Sequence, residues 1–241
     1  MTENSVLVIL PGWGGSSETW RGFVDFLGSH IPDLDVKVFE LPCFGETSCP
    51  TEVWGVREYA KFVKHKLAHL NYDRIILLGH SFGGQVATYL VAHHPEVCER
   101  LVLSGAAVYR PKRKFRRTVF WVVAQCVRVF LKIPLLKHRK KRIKKNLYRI
   151  IGSLDYQESA GVKREIYKKV IREDVSELLG RIMVHTDVVW GAKDKHTPLR
   201  YGKKIVAEIP NAQLHVIKDG THGLHRHKKK AFLGILEKIL A

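Results

Sequence analysis

Three side chains, far apart along the chain, have the types and the order needed to cleave an acyl bond: Ser81, Asp194 and His222. An alcohol is a poor nucleophile at neutral pH, so it needs a base within reach and an acid that orients the base. Ser81 lies in Gly79-His80-Ser81-Phe82-Gly83, a G-x-S-x-G run followed by Gly84. Such a turn holds the serine in a strained conformation, and only glycine fits two residues before and after it. Asp194 closes Trp190-Gly191-Ala192-Lys193-Asp194, and His222 closes Asp219-Gly220-Thr221-His222. Serine, acid, histidine is the order expected for a nucleophile elbow on a parallel sheet. Asp187 and Asp219 compete for the acid role. Asp187 falls inside an expected strand and Asp219 before the histidine turn, so Asp194 is preferred.

Other histidines invite a second reading. His225 and His227 form His-x-x-His-x-His with His222, a spacing that hints at a metal. No carboxylate or cysteine joins them and Lys228 to Lys230 follow, so a solvated helix start is expected, with no metal and no cofactor. His93 and His94 fall in the last turn of an expected helix, where imidazole suits the dipole and the role is structural.

The elements that must position the three residues follow from hydrophobic pattern. Residues 75–78 form a short apolar, β-branched run, which reads as a strand buried on both faces. Residues 85–94 read as a helix that Pro95 ends. Further strands are expected at 6–10, 35–41, 100–104, 184–190 and 214–218. Helices are expected at 17–29, 53–70 and 198–208, with one more running to Leu240. In the second of these, Val56, Tyr59, Ala60, Val63 and Leu67 share one face. Strands alternating with helices imply an α/β fold with a parallel sheet.

At 241 residues the chain suits one α/β domain with an insertion. No signal peptide is read at the start, and no apolar run is long enough to span a bilayer. The expected location is therefore cytoplasmic, with peripheral binding at the inner membrane face. Cys43, Cys49, Cys98 and Cys126 lack metal spacing and are expected to be reduced; Cys43 and Cys49 flank a loop and would pair only in an oxidising compartment. The net charge of +18 is local: residues 110–150 carry 16 of the 41 Lys and Arg and no Asp or Glu. That segment marks a surface for an anionic partner or a solvated face, not a generally basic protein. There, 119–124 is an apolar hexapeptide, and at the segment's end Ile143, Leu147 and Ile150, with Ile151 just beyond it, form one stripe against a basic face.

The runs Leu10-Pro11-Gly12-Trp13-Gly14-Gly15, Gly79-His80-Ser81-Phe82-Gly83-Gly84, Trp190-Gly191-Ala192-Lys193-Asp194 and Gly220-Thr221-His222 resemble the α/β-hydrolase fold family. The resemblance implies six mostly parallel strands with flanking helices, a core of 1–109 and 182–241, and a basic helical cap at 110–181. It also implies Ser81 as nucleophile, His222 as general base then acid, Asp194 as its orienter, and an oxyanion hole from the backbone N–H groups of Trp13 and Phe82. Two departures stand out: Pro11-Gly12-Trp13 replaces the usual His-Gly, and the chain starts at the strand that is usually third.

The expected activity is that of a serine carboxylesterase acting on a hydrophobic acyl substrate through an acyl-enzyme. Thioesterase, lysophospholipase or monoacylglycerol lipase, and C–C bond hydrolase activities share the scaffold. A serine nucleophile excludes dehalogenases and epoxide hydrolases that use aspartate. The rival class is a non-catalytic protein that holds an anion with its basic cap. Expected partners are a small ester and, for the cap, an acidic acyl carrier protein or an anionic membrane surface. The former follows from a resemblance to pimeloyl-acyl carrier protein methyl ester esterase, and nucleic acid is disfavoured because no binding motif accompanies the charge.

Overall fold

The computed structural model describes residues 4–110 and 161–240. Its six strands are β1 (Ser5–Leu10), β2 (Asp35–Val38), β3 (Arg74–His80), β4 (Arg100–Ser104), β5 (His185–Gly191) and β6 (Ala212–Ile217). They form one sheet in the order β2-β1-β3-β4-β5-β6, and every neighbouring pair is parallel. The first crossovers are α1 (Ser17–Gly28), α2 (Val56–Ala68) and α3 (Phe82–His93). Next come α4 (Gly161–Val170), α5 (Leu199–Glu208), the short α6 (Leu224–His227) and α7 (Lys229–Leu240). The single helix expected at the C-terminus is thus two, divided at Lys228. The second strand stops at Val38, short of the expected 41, although Phe39 and Leu41 remain buried.

Alternation along the strands divides the core between the two faces of the sheet. On β1, Val6, Val8 and Leu10 point to one face, while Leu7 and Ile9 point to the other. The first face is covered by α2 and α3, with Tyr59, Val63, Val86 and Leu90 packed against Leu77 and Trp190. The second is covered by α1 and α7, where Trp20, Phe23 and Phe232 meet Ile76 and Leu78. The apolar face expected for α2 is the buried one, through Val56, Tyr59, Ala60, Val63 and Leu67. The helix begins at 56 because two carboxylates cap it there: Gly55 N–H donates to Glu58 Oε2 (2.6 Å) and Val56 N–H to Glu173 Oε2 (2.7 Å).

Of the expected insertion, 110–181, residues 111–160 lie outside the described residues, as do the apolar hexapeptide and the basic stripe. Its flanks are clipped to α3. Gln85 is fully buried; its Nε2 donates to Glu173 O (2.7 Å) and its Oε1 accepts from Arg110 Nη2 (2.6 Å). Arg110 N–H also donates to Asp174 Oδ2 (2.8 Å). Ile166, Val170, Leu178 and Leu179 then join the core beside α3.

The expectation of reduced thiols is corrected for two cysteines: Cys43 and Cys49 are disulfide-bonded. The loop after β2 turns back on itself through Phe44 N–H to Leu41 O (2.9 Å) and Thr47 N–H to Phe44 O (3.0 Å), which brings the two residues to a Cα separation of 4.1 Å. Cys98 is a buried thiol whose pKa burial pushes up to about 12, and Cys126 lies outside the described residues.

Two measurements check this description. Gln85→Leu removes the partner of a buried carbonyl and of a guanidinium, so it should lower unfolding stability by about 2 kcal/mol, read as a shifted urea midpoint at constant slope. Glu-C cleavage after Glu46 should leave the Cys43 and Cys49 peptides joined until a reductant separates them.

Candidate active site

The turn from β3 into α3 forces glycine at two places. A Cβ on Gly79 would stand 2.6 Å from Gly84 Cα, and one on Gly83 would stand 2.1 Å from Leu10 O at the end of β1. Between them Ser81 adopts φ +52°, ψ −112°, a left-handed backbone that costs a serine about 1–3 kcal/mol. Hydrogen bonds on both sides hold it there: Ser81 N–H donates to Ser104 O (3.1 Å), and Ser81 O accepts from Ala107 N–H (2.9 Å). The side chain is half-buried at the carboxyl ends of the strands.

At the same sheet end, Asp194 and His222 meet. Asp194 Oδ2 accepts from His222 Nδ1 (2.7 Å) and lies 2.9 Å from Thr197 Oγ1; Oδ1 accepts from the backbone N–H groups of His196 (2.8 Å) and Thr197 (2.9 Å). Burial pushes the Asp194 pKa up. The hydrogen bond and charge of His222, with the Thr197 donors, outweigh it and hold the carboxyl below its ordinary range. An ionised carboxylate only accepts, so His222 Nδ1 carries the proton and Nε2 is left as the acceptor. Trp190, buried on β5, fixes the far side of this loop through Nε1–H to Thr197 O (2.7 Å).

Asp194 and His222 are therefore joined, and Ser81 shares their end of the sheet. Among the described residues no hydrogen bond joins Ser81 Oγ to His222. The link between them is His80, next in chain to Ser81, whose ring centroid is 4.8 Å from that of His222. The two competing acids are engaged elsewhere. Asp187 is buried against Arg100 Nε (2.8 Å) and His215 Nε2 (2.7 Å), and Asp219 pairs with Lys193 (2.7 Å).

Trp13 packs edge-on against Phe44 (4.8 Å) and Phe82 (5.5 Å) and meets Tyr167 at 4.9 Å. Tyr59 adds a further ring beside Phe82 at 5.1 Å. Phe44, Tyr59 and Phe82 are buried, so Trp13 and Tyr167, both half-buried, are the rings of this cluster that reach the surface. Among the described residues neither the Trp13 nor the Phe82 backbone N–H has a protein acceptor, and Phe82 opens α3, where unpaired N–H groups favour negative charge.

Three residues at the site escaped the sequence reading, and a fourth was misread. Gly105 (φ +54°) follows β4, at a point where a Cβ would come 3.1 Å from His222 Nδ1 and 3.3 Å from Asp194 Oδ2. Thr197, three residues after Asp194, is the second donor described above. His80 is buried, with Nδ1 3.0 Å from Ser104 O, and burial, followed by the neighbouring His222 and His225, drives its pKa well down. His225 requires a correction. It is not solvated but buried, stacked on Trp20 at 3.9 Å because the turn after His222 folds back onto α1. Burial, then the charge of Arg226, lowers its pKa to about 3. The repeated histidine spacing was the only available signal for this cluster. Among the described residues no group of three or more His, Cys, Asp or Glu could hold a metal ion.

The comparisons with known proteins agree with this architecture. A family model described as alpha/beta hydrolase fold matches residues 5–130. The chain is 28% identical over 225 residues to a poly(3-hydroxyalkanoate) depolymerase of Ectopseudomonas oleovorans, covering 89% of this chain and 77% of that one. It is 26% identical over 255 residues to a 2-hydroxy-6-oxo-6-phenylhexa-2,4-dienoate hydrolase of Burkholderia cepacia, covering 95% and 85%. An esterase structure from Exiguobacterium antarcticum superposes with a TM-score of 0.72 over 99% of this chain and 92% of that one at 18% identity, a likeness of fold. Among the described residues no helix is long and apolar enough to cross a membrane.

His225 gives a pH prediction. Its folded pKa of about 3 lies below the unfolded value of 6.5, so the unfolded chain binds the extra proton. Its contribution is fully present above pH 6.5 and is lost as pH falls from there toward 3. Urea unfolding at stepped pH should show that decline, and His225→Phe should make it shallower, with buried His80 supplying a share that remains.

Proposed function

Because the chain belongs to the α/β hydrolase fold family, we propose that it is a serine hydrolase cleaving a carboxylic ester with an apolar acyl group through an acyl-enzyme. A hydrolase acting on ester bonds is what the depolymerase and esterase relatives support. The observation that carries the finer reading is the Asp194–His222 hydrogen bond at the same end of the sheet as the strained Ser81. In the proposed reaction His222 Nε2 takes the Ser81 proton as Oγ attacks the carbonyl carbon, and Asp194 stabilises the imidazolium. The carbonyl oxygen becomes an oxyanion, received by the Trp13 and Phe82 N–H groups and the start of α3. Collapse of this intermediate breaks the bond to the alcohol, which leaves with the proton from His222. Water then attacks the acyl-enzyme with His222 again as base, and the acid is released. Trp13, half-buried and backed by the buried rings of Phe44 and Phe82, offers the acyl chain an apolar contact.

Ser81→Ala should cut p-nitrophenyl butyrate turnover by at least about a thousandfold, with unchanged circular dichroism, and a fluorophosphonate should label the wild type alone. Undiminished turnover in that variant overturns the nucleophile assignment.

A further inference from the structure

The loop that carries Asp194 presents a second imidazole beside His222, for which the reaction above has no use. His196 is exposed, and its ring centroid lies 5.0 Å from that of His222. Its position is built, because its backbone N–H donates to the Asp194 carboxylate that also holds His222. The charge around it is one-sided. The loops 192–197 and 219–228 carry Lys193, Lys195, Arg226 and Lys228 but only two acids, Asp194 and Asp219. Asp194 is buried under its donors and Asp219 is neutralised by Lys193 at 2.7 Å. Lys195 and Arg226 are exposed and have no carboxylate partner among the described residues. The charge of Arg226 is one of the causes that keep His225 and His80 neutral, so its field reaches the imidazoles behind the site.

The direction of the reaction says what such a rim would meet. His222 hands its proton to the departing oxygen, so the alcohol leaves on the His222 side, whereas the half-buried ring of Trp13, packed on Phe82 next in chain to Ser81, lies on the Ser81 side. We infer that His196, assisted by Lys195 and Arg226, is the subsite for an anionic group on the leaving alcohol. The substrate is then an ester between an apolar acyl chain and an alcohol bearing a group such as phosphate. This rests on the serine-hydrolase reading for its orientation, and it goes further by giving the two halves of the ester opposite chemistry. A hydrogen bond to a charged group is worth about a factor of ten or more in affinity.

The test uses full-length Ser81→Ala protein, which binds without turning over, and isothermal titration calorimetry. 1-Butyrylglycerol 3-phosphate should bind at least about tenfold more tightly than 1-butyrylglycerol, and added salt should narrow the gap. Adding His196→Ala should bring the two esters within about threefold of each other. Adding His93→Ala instead, an exposed imidazole at the far end of α3, should leave the preference intact. Equal or undetectable binding of both esters, or a preference that survives loss of His196, overturns the proposal. So does an equal preference for charge on the acyl side, read as monomethyl adipate against dimethyl adipate. Hydrolysis of 1-butyrylglycerol by the wild type is scored separately: its absence counts against the hydrolase reading, while the binding difference still reports on the rim.

Discussion

A buried carboxylate with hydrogen-bond donors on both oxygens organises the mouth of this sheet. Asp194 draws His222 from the loop after β6, the backbone of His196 and Thr197 from its own loop, and the Thr197 hydroxyl, which also lies 3.0 Å from Gly105 O after β4. Three consecutive crossings of the sheet are thereby tied at one point. The tie tolerates no bulk. A Cβ on Gly191 would meet Gly220 O at 2.4 Å, and Lys193 N–H donates to Gly220 O at 2.8 Å, so the two loops touch backbone to backbone. An unpaired carboxylate at this depth would favour its protonated form, whereas the assembled donors keep it charged.

The same economy of space governs the serine turn. Leu10 O occupies the place where a side chain at residue 83 would go, so β1 must end where α3 begins. Ser104 O accepts from Ser81 N–H and stands 3.0 Å from His80 Nδ1. One carbonyl of β4 therefore steadies both the strained backbone and the imidazole between it and His222. Hydrogen bonding in the sheet and positioning of the reactive groups are, in this region, the same set of contacts.

How much of this was legible in the sequence depended on how local the signal was. Ser81 with its glycines, and the stripe Val56, Tyr59, Ala60, Val63 and Leu67, are written in runs of a few residues, and sterics or periodicity read them directly. The parallel pairing followed from the alternation of strands and helices, whereas the strand order, with β1 between β2 and β3, came from the structure. Asp194 and His222 were found by their place after later strands, a rule of topology. The disulfide was weighed against compartment, yet the tight turn between Cys43 and Cys49 decides their proximity. His225 was misread because its burial depends on Trp20, some two hundred residues earlier in the chain. Gln85 looked like an ordinary helical residue, since its partners, Glu173 and Arg110, come from the two flanks of a long insertion.

That last arrangement has a consequence for how such a chain can diversify. Arg110 N–H donates to Asp174 Oδ2 and Arg110 Nη2 donates to Gln85 on α3, so the two flanks of the insertion are joined to each other and anchored on one helix. The scaffold thus carries a socket whose two terminals meet on one helix. Segments of other lengths and charges could be exchanged there by recombination without renegotiating the sheet, so new substrate ranges need not be purchased with a new fold.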